Sequence, residues 1–103
     1  MLKYAEQYKH FDERQHKMGA YVYLLRCSDD TLYCGWTDDP ARREASHNAG
    51  HGAKYTRSRL PVKMVYTEAC ADKSEALRRE AAIKRMTRAQ KLQLIATGKN
   101  TDD

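Results

Sequence analysis

AYVYLLRCSDDTLYCGWT, residues Ala20–Thr37, holds two strand-forming runs around a turn. Ala20–Cys27 is rich in Tyr, Val and Leu, Thr31–Thr37 is a second strand, and Ser28-Asp29-Asp30 between them is a turn cluster, so a β-hairpin is expected. Loop length sets which side chains share a face. A two-residue loop of Asp29 and Asp30 would put Tyr23 and Tyr33 on opposite faces. A three-residue loop, Ser28 to Asp30 with Asp30 in the left-handed region, pairs Cys27 with Thr31, Leu25 with Tyr33 and Tyr23 with Gly35. The three-residue loop is the expected one, and it gathers Tyr23, Leu25, Tyr33 and Gly35 on one face. Gly35 is telling, because glycine weakens a strand unless the strand bends or something approaches the backbone closely.

Beyond the hairpin, Asp39-Pro40 is an N-cap with proline at the first helical position, and Asn48-Ala49-Gly50 is a stop. A helix is expected over Pro40–Ala49, with only Ala41, Ala45 and Ala49 as apolar residues. From Ala45 to Thr67 there is no acid, while Lys54, Arg57, Arg59 and Lys63 all occur, and His51-Gly52-Ala53-Lys54 forms a basic loop. Val62–Tyr66 reads as a third strand. Asp72 with Glu75 is a capping box that starts a helix to Met86, and Thr87 with Gln90 repeats the device for a last helix ending at Gly98. The order is ββαβαα, an α+β class. Residues 1–18 are polar, with Tyr4, Tyr8 and Phe11 at i, i+4 and i+7, and are expected to be an extension, helical or disordered, before a domain over residues 19–98 and a tail over 99–103.

The chain has 103 residues, 41% hydrophobic and 32% charged, with five Gly and two Pro, which suits one small domain and excludes a multi-domain enzyme or a low-complexity chain. Nineteen Lys and Arg against fourteen Asp and Glu give a net charge of +5, which favours a polyanionic partner. Apolar runs are too short to span a bilayer and the first residues lack a signal-peptide core, so a cytoplasmic protein with no membrane partner is expected. Cys27, Cys34 and Cys70 make an odd count without C-x-x-C spacing, which argues for reduced thiols and against a disulfide framework or a zinc ribbon.

On the Asp72–Met86 helix, Ala76, Leu77, Ala81 and Ile83 share one arc, and Glu80 falls inside it. An inward carboxylate needs a partner, either Lys84 at i+4 or buried donors or a bound cation. Arg43 and His47 are also i and i+4. They either form a phosphate clamp, a donor fork beside a group that exchanges protons near neutrality, or belong to a solvated basic face. Tyr23 and Tyr33 are either ordinary sheet packing or part of the same site; a free phenol is a weak base at neutral pH unless neighbouring cations help it.

Taken in order, Tyr21-Val22-Tyr23, Tyr33-Cys34-Gly35, Arg43, His47 and Glu80 resemble the GIY-YIG nuclease family, and the resemblance covers roughly Ala20 to Gly98. The runs Gly52-Ala53-Lys54-Tyr55-Thr56-Arg57, Pro61-Val62-Lys63 and Ser74-Glu75-Ala76-Leu77-Arg78-Arg79-Glu80 look like the small standalone bacterial GIY-YIG proteins of unassigned function. There are departures. The first motif keeps Tyr23 but has no glycine, Trp36 and Thr37 stand where members often have Lys or Ser, and Asn100 does not align with the later asparagine of some members.

The resemblance implies a central three-stranded antiparallel sheet flanked by helices, and hydrolysis of phosphodiester bonds with one divalent ion, Mg2+ or Mn2+. It implies Glu80 as metal ligand, Arg43 on the scissile phosphate, Tyr23 at the attacking water, and Tyr33 and His47 completing the network. Lys54, Arg57, Arg59 and Lys63 are the expected nucleic-acid contacts, giving salt-sensitive binding of low sequence selectivity. The expected function is a DNA endonuclease, in repair or recombination, either unselective or directed by a protein partner. The alternatives are a nuclease-like binding module with little turnover and a partner-binding domain.

Overall fold

The computed structural model describes residues 19–101, with side chains over residues 19–98; the N-terminal segment with Tyr4, Tyr8 and Phe11 lies outside the described residues. The elements are β1 (Ala20–Arg26), β2 (Leu32–Thr37), α1 (Pro40–Asn48), α2 (Lys54–Arg57), β3 (Lys63–Cys70), α3 (Lys73–Lys84) and α4 (Arg88–Thr101). The sheet is antiparallel throughout with β1 in the centre, in the order β2-β1-β3.

The hairpin takes the three-residue loop. Asp30 has φ 70°, the Cys27 amide donates to the Thr31 carbonyl at 2.9 Å, and Tyr23 pairs with Gly35 and Leu25 with Tyr33. Being central, β1 is hydrogen-bonded along both edges, and its two faces carry separate core layers. Ala20, Val22 and Leu24 join Cys34, Ala76, Ile83 and Ile95 in one core layer under α3 and α4. Tyr23, Leu25 and Cys27 join Val62, Tyr33 and Met64 in the other. A register shift at Leu24/Leu25 then decides where the start of β3 points: Met64 sits opposite Leu25, and Lys63 opposite Arg26.

Asp39 caps α1 through the Arg42 amide, and proline occupies the first turn. Asp72 caps α3 by accepting from the Glu75 amide at 2.8 Å, and the Thr87–Gln90 reciprocal bonds, 2.9 and 3.1 Å, start α4. Four expectations are corrected. The basic loop ahead of β3 contains a helical turn, α2, so the order is ββααβαα. The third strand runs Lys63–Cys70 rather than Val62–Tyr66, since pairing with β1 continues to Ala20–Cys70.

The last helix does not stop at Gly98. It continues to Thr101, and Gly98 serves a close approach instead: a Cβ there would lie 2.3 Å from Cε1 of Tyr66. On α3 the buried line is narrower than expected. Ala76 and Ile83 are fully buried, while Leu77 is 43% exposed and Ala81 is exposed. Glu80 lies between Ala76 and Ile83 at i+4 and i−3, nearer the centre of that line than Leu77 or Ala81.

Candidate active site

Tyr23 leaves β1 over Gly35 of β2. A Cβ on Gly35 would stand 2.6 Å from the Tyr23 hydroxyl oxygen, so this position holds glycine to let the phenol cross the strand. The hydroxyl reaches Nε2 of His47 on α1 at 2.9 Å. The other ring nitrogen, Nδ1, is 2.9 Å from Oγ1 of Thr56 on α2, and that hydroxyl gives its single proton to the Ala53 carbonyl at 2.9 Å. Thr56 therefore accepts, Nδ1 carries the proton, and Nε2 is a bare acceptor to which Tyr23 donates. The Ala53 amide lies 3.5 Å from Nδ1, too long to compete. Arg43, one turn before His47, directs Nε at the Tyr23 oxygen from 3.4 Å.

The chain of donors thus runs from Arg43 to Tyr23, His47, Thr56 and the Ala53 carbonyl. It is deeply buried, with His47 and Thr56 at 0% and Tyr23 at 1% exposure. Burial, with Arg43 adding to it, lowers the His47 pKa to about 4, so the imidazole is neutral at physiological pH. Burial raises the Tyr23 pKa to about 12, the Arg43 contacts partly offsetting it and the charges of Tyr33 and Glu80 adding to the rise.

Tyr33 packs edge-on against His47, ring centroids 5.6 Å apart, and stacks at 19° on Tyr55 of α2 with centroids 5.9 Å apart. The Arg59 guanidinium covers Tyr55 at 3.8 Å, donates to Oδ2 of Asp29 at 3.0 Å and to the Tyr55 carbonyl at 2.7 Å. Glu80 comes from α3, its side chain 15% exposed and its Oε2 3.2 Å from Nζ of Lys84. The lysine partner is therefore realised. Among the described residues no three His, Cys, Asp or Glu side chains cluster as a metal cage. A single inward carboxylate, Glu80, suits a hard divalent ion that keeps most of its waters and takes substrate oxygens.

Tyr23, Tyr33, Arg43 and His47 are brought together, with Glu80 acting on Tyr23 through its charge. Lys54 and Arg57 are exposed on α2, on either side of Thr56. Arg59 and Lys63 are not in the same position. Arg59 is committed to Asp29 and Tyr55, and the register puts Lys63 opposite Arg26 at the start of β3. Sequence reasoning missed Thr56 and Gly52, where a Cβ would lie 2.1 Å from His47 Nδ1. It also missed Asn48, whose side chain bonds both the Val62 amide at 2.7 Å and its carbonyl at 2.9 Å, holding α1 to the start of β3. The glycine beside a basic run was the one available signal.

Residues 19–93 match the GIY-YIG catalytic domain. The UPF0213 protein SAG0778 of Streptococcus agalactiae is 56% identical over 84 residues, 82% of this chain and 96% of that protein. The UPF0213 protein VNG_2274C of Halobacterium salinarum is 58% identical over 71 residues, 69% of this chain and 92% of its own. Among solved structures, the solution structure of EF2693 from E. faecalis is similar with a TM-score of 0.53 and 47% identity, covering 77% of this chain and 84% of that one. That of the UPF0213 protein BH0048 from Bacillus halodurans gives 0.51 and 45%, covering 78% and 85%.

Proposed function

The chain belongs to the GIY-YIG family, and from that premise we propose that it is a divalent-metal-dependent endonuclease that hydrolyses phosphodiester bonds in DNA with low sequence selectivity. The observation that carries this reading is the directed hydrogen-bond chain on Tyr23. The phenol receives from Arg43 and gives to His47, which leaves its second lone pair for a water.

That water's proton passes to the Tyr23 oxygen as the tyrosine's own proton passes to Nε2 of His47. Ionising Tyr23 outright at pH 7, from a pKa of about 12, would cost about 7 kcal/mol. His47, neutral at pH 7, offers Nε2 as the acceptor, so Tyr23 passes its proton on as it takes the water's and never has to ionise outright. Thr56 Oγ1 accepts from Nδ1 throughout and steadies the imidazolium. Tyr33 closes one side of His47 against water. Arg43, whose guanidinium is planar and permanently charged, meets the negative charge that builds on the scissile phosphate. Glu80 would hold the Mg2+ or Mn2+, which supplies Lewis-acid polarisation of the phosphate when bound.

Lys54 and Arg57 contact flanking phosphates, so affinity falls with salt and carries little sequence information. DNA repair or recombination is the setting that fits an unselective nuclease directed by branched DNA or by a protein partner. A binding module with little turnover is the second reading, favoured by the Lys84 ammonium on the Glu80 carboxylate.

The test is cleavage of branched, single-stranded and duplex DNA with Mg2+ or Mn2+, alongside Glu80→Ala and Arg43→Ala. Metal-dependent product from wild type, lost in both variants, is expected. Intact DNA in every lane, with undiminished binding by Glu80→Ala, would establish the second reading instead.

A further inference from the structure

β2, the strand Tyr23 crosses, carries no Lys or Arg, so positive charge beside Glu80 comes from the helices. The run Ala81–Thr101 contains Lys84, Arg85, Arg88, Lys91 and Lys99 and no acid, a second basic segment beside the one around α2. Arg88 is already used: it donates to the Asp30 carbonyl at 2.9 Å and to Oδ2 at 3.3 Å, tying the α3–α4 corner to the hairpin loop. Lys84 is placed differently. Its Nζ lies 3.2 Å from Oε2 of Glu80 on the inward line of α3, yet its own side chain is 53% exposed. Its charge also acts on Tyr33 and Cys34, and Lys91 acts on Cys34 from α4.

An ammonium at that distance occupies a direction from which a cation would approach Glu80. A divalent ion on the carboxylate outcompetes and repels it, and the exposed four-carbon stem lets the ammonium swing outward without losing core packing. The nearest new anion is then a backbone phosphate of the bound nucleic acid. We infer that Lys84 is a phosphate-binding residue of the nucleic-acid site, kept on Glu80 until a divalent cation displaces it, so that cation loading and grip on the backbone are coupled. This rests on the nuclease reading above, and it gives the site a backbone contact on the carboxylate side to match Lys54 and Arg57 on the α2 side.

Two measurements test it without turnover. In Mn2+ titrations of the free protein, followed by water-proton relaxation, Lys84→Met binds the ion about three- to fivefold more tightly than wild type, the scale of losing one ion-pair competitor whose ammonium is solvent-exposed. In anisotropy titrations of a labelled DNA duplex across a salt series, wild type and Lys84→Met have the same salt slope when metal is chelated. With Ca2+ present the variant's slope is shallower by about 0.9, one phosphate contact, and Lys84→Arg restores it. Equal slopes with Ca2+, or equal Mn2+ affinities, overturn the inference. A wild type that cleaves DNA yet behaves like Lys84→Met in both measurements overturns the inference alone; one that binds neither Mn2+ nor duplex overturns the nuclease reading with it.

Discussion

Between pH 7 and 5, acidification should destabilise this protein mainly through His47. Its folded-state pKa is about 4 against an ordinary 6.5, because the ring is buried and faces Arg43. Between those values the unfolded chain takes up a proton that the folded chain refuses, so the unfolded state binds more protons and stability falls as pH falls. The penalty is close to zero at pH 7, about 2 kcal/mol at pH 5 and about 3 kcal/mol at pH 4. Ordinary carboxylates titrate mainly below about pH 5, so the interval from pH 7 to 5 isolates the histidine.

Urea unfolding of wild type and His47→Gln at pH 7, 6 and 5 reads the effect. The variant starts lower, having lost the ring that Tyr23 and Thr56 hold, but its stability changes little across the window, while wild type loses about 2 kcal/mol. Long-range 1H–15N correlation spectra at pH 6 should show His47 neutral and protonated on Nδ1. A His47 that titrates near pH 6.5, or wild type and variant losing stability in parallel, would refute both the burial argument and the proton relay built on it.

Three further substitutions probe the same scaffold. Thr56→Val removes the acceptor for His47 Nδ1 while keeping shape; it should cost about 1–3 kcal/mol in denaturant unfolding and lower DNA cleavage, as the tautomer that receives the Tyr23 proton is no longer enforced. Gly35→Ala puts a Cβ 2.6 Å from the Tyr23 oxygen, so the phenol must leave His47. Cleavage should collapse for a stability loss of about 1–3 kcal/mol, and full activity would disprove the crossing geometry. Asn48→Ala strands the amide and carbonyl of Val62, with an expected loss of about 1–3 kcal/mol and faster amide exchange at the start of β3; unchanged exchange would show that α1 is held by other contacts.

Local chemistry made much of the fold legible. The turn cluster at Ser28–Asp30, the proline after Asp39 and the two capping boxes act within a few residues, so their signals survive without tertiary context. Helical spacing likewise exposed the anomaly at Glu80 and the pairing of Arg43 with His47. Where contacts between distant segments decide, the reading failed. Gly98 resembled a helix stop, but the need it serves is space for the Tyr66 ring of β3. Likewise the third strand runs on to Cys70, because its pairing with β1 continues to Ala20.

The residue types of the site were therefore written in the order of the chain, together with the hairpin register that puts Tyr23 and Tyr33 on one face. Their chemistry was not. Thr56 gives direction to the hydrogen bonds only because α2 folds against α1, and His47 becomes a neutral acceptor only because water is excluded from all sides of it. Proton affinity depends on solvation and on charges brought close by folding, and neither quantity is a property of local sequence.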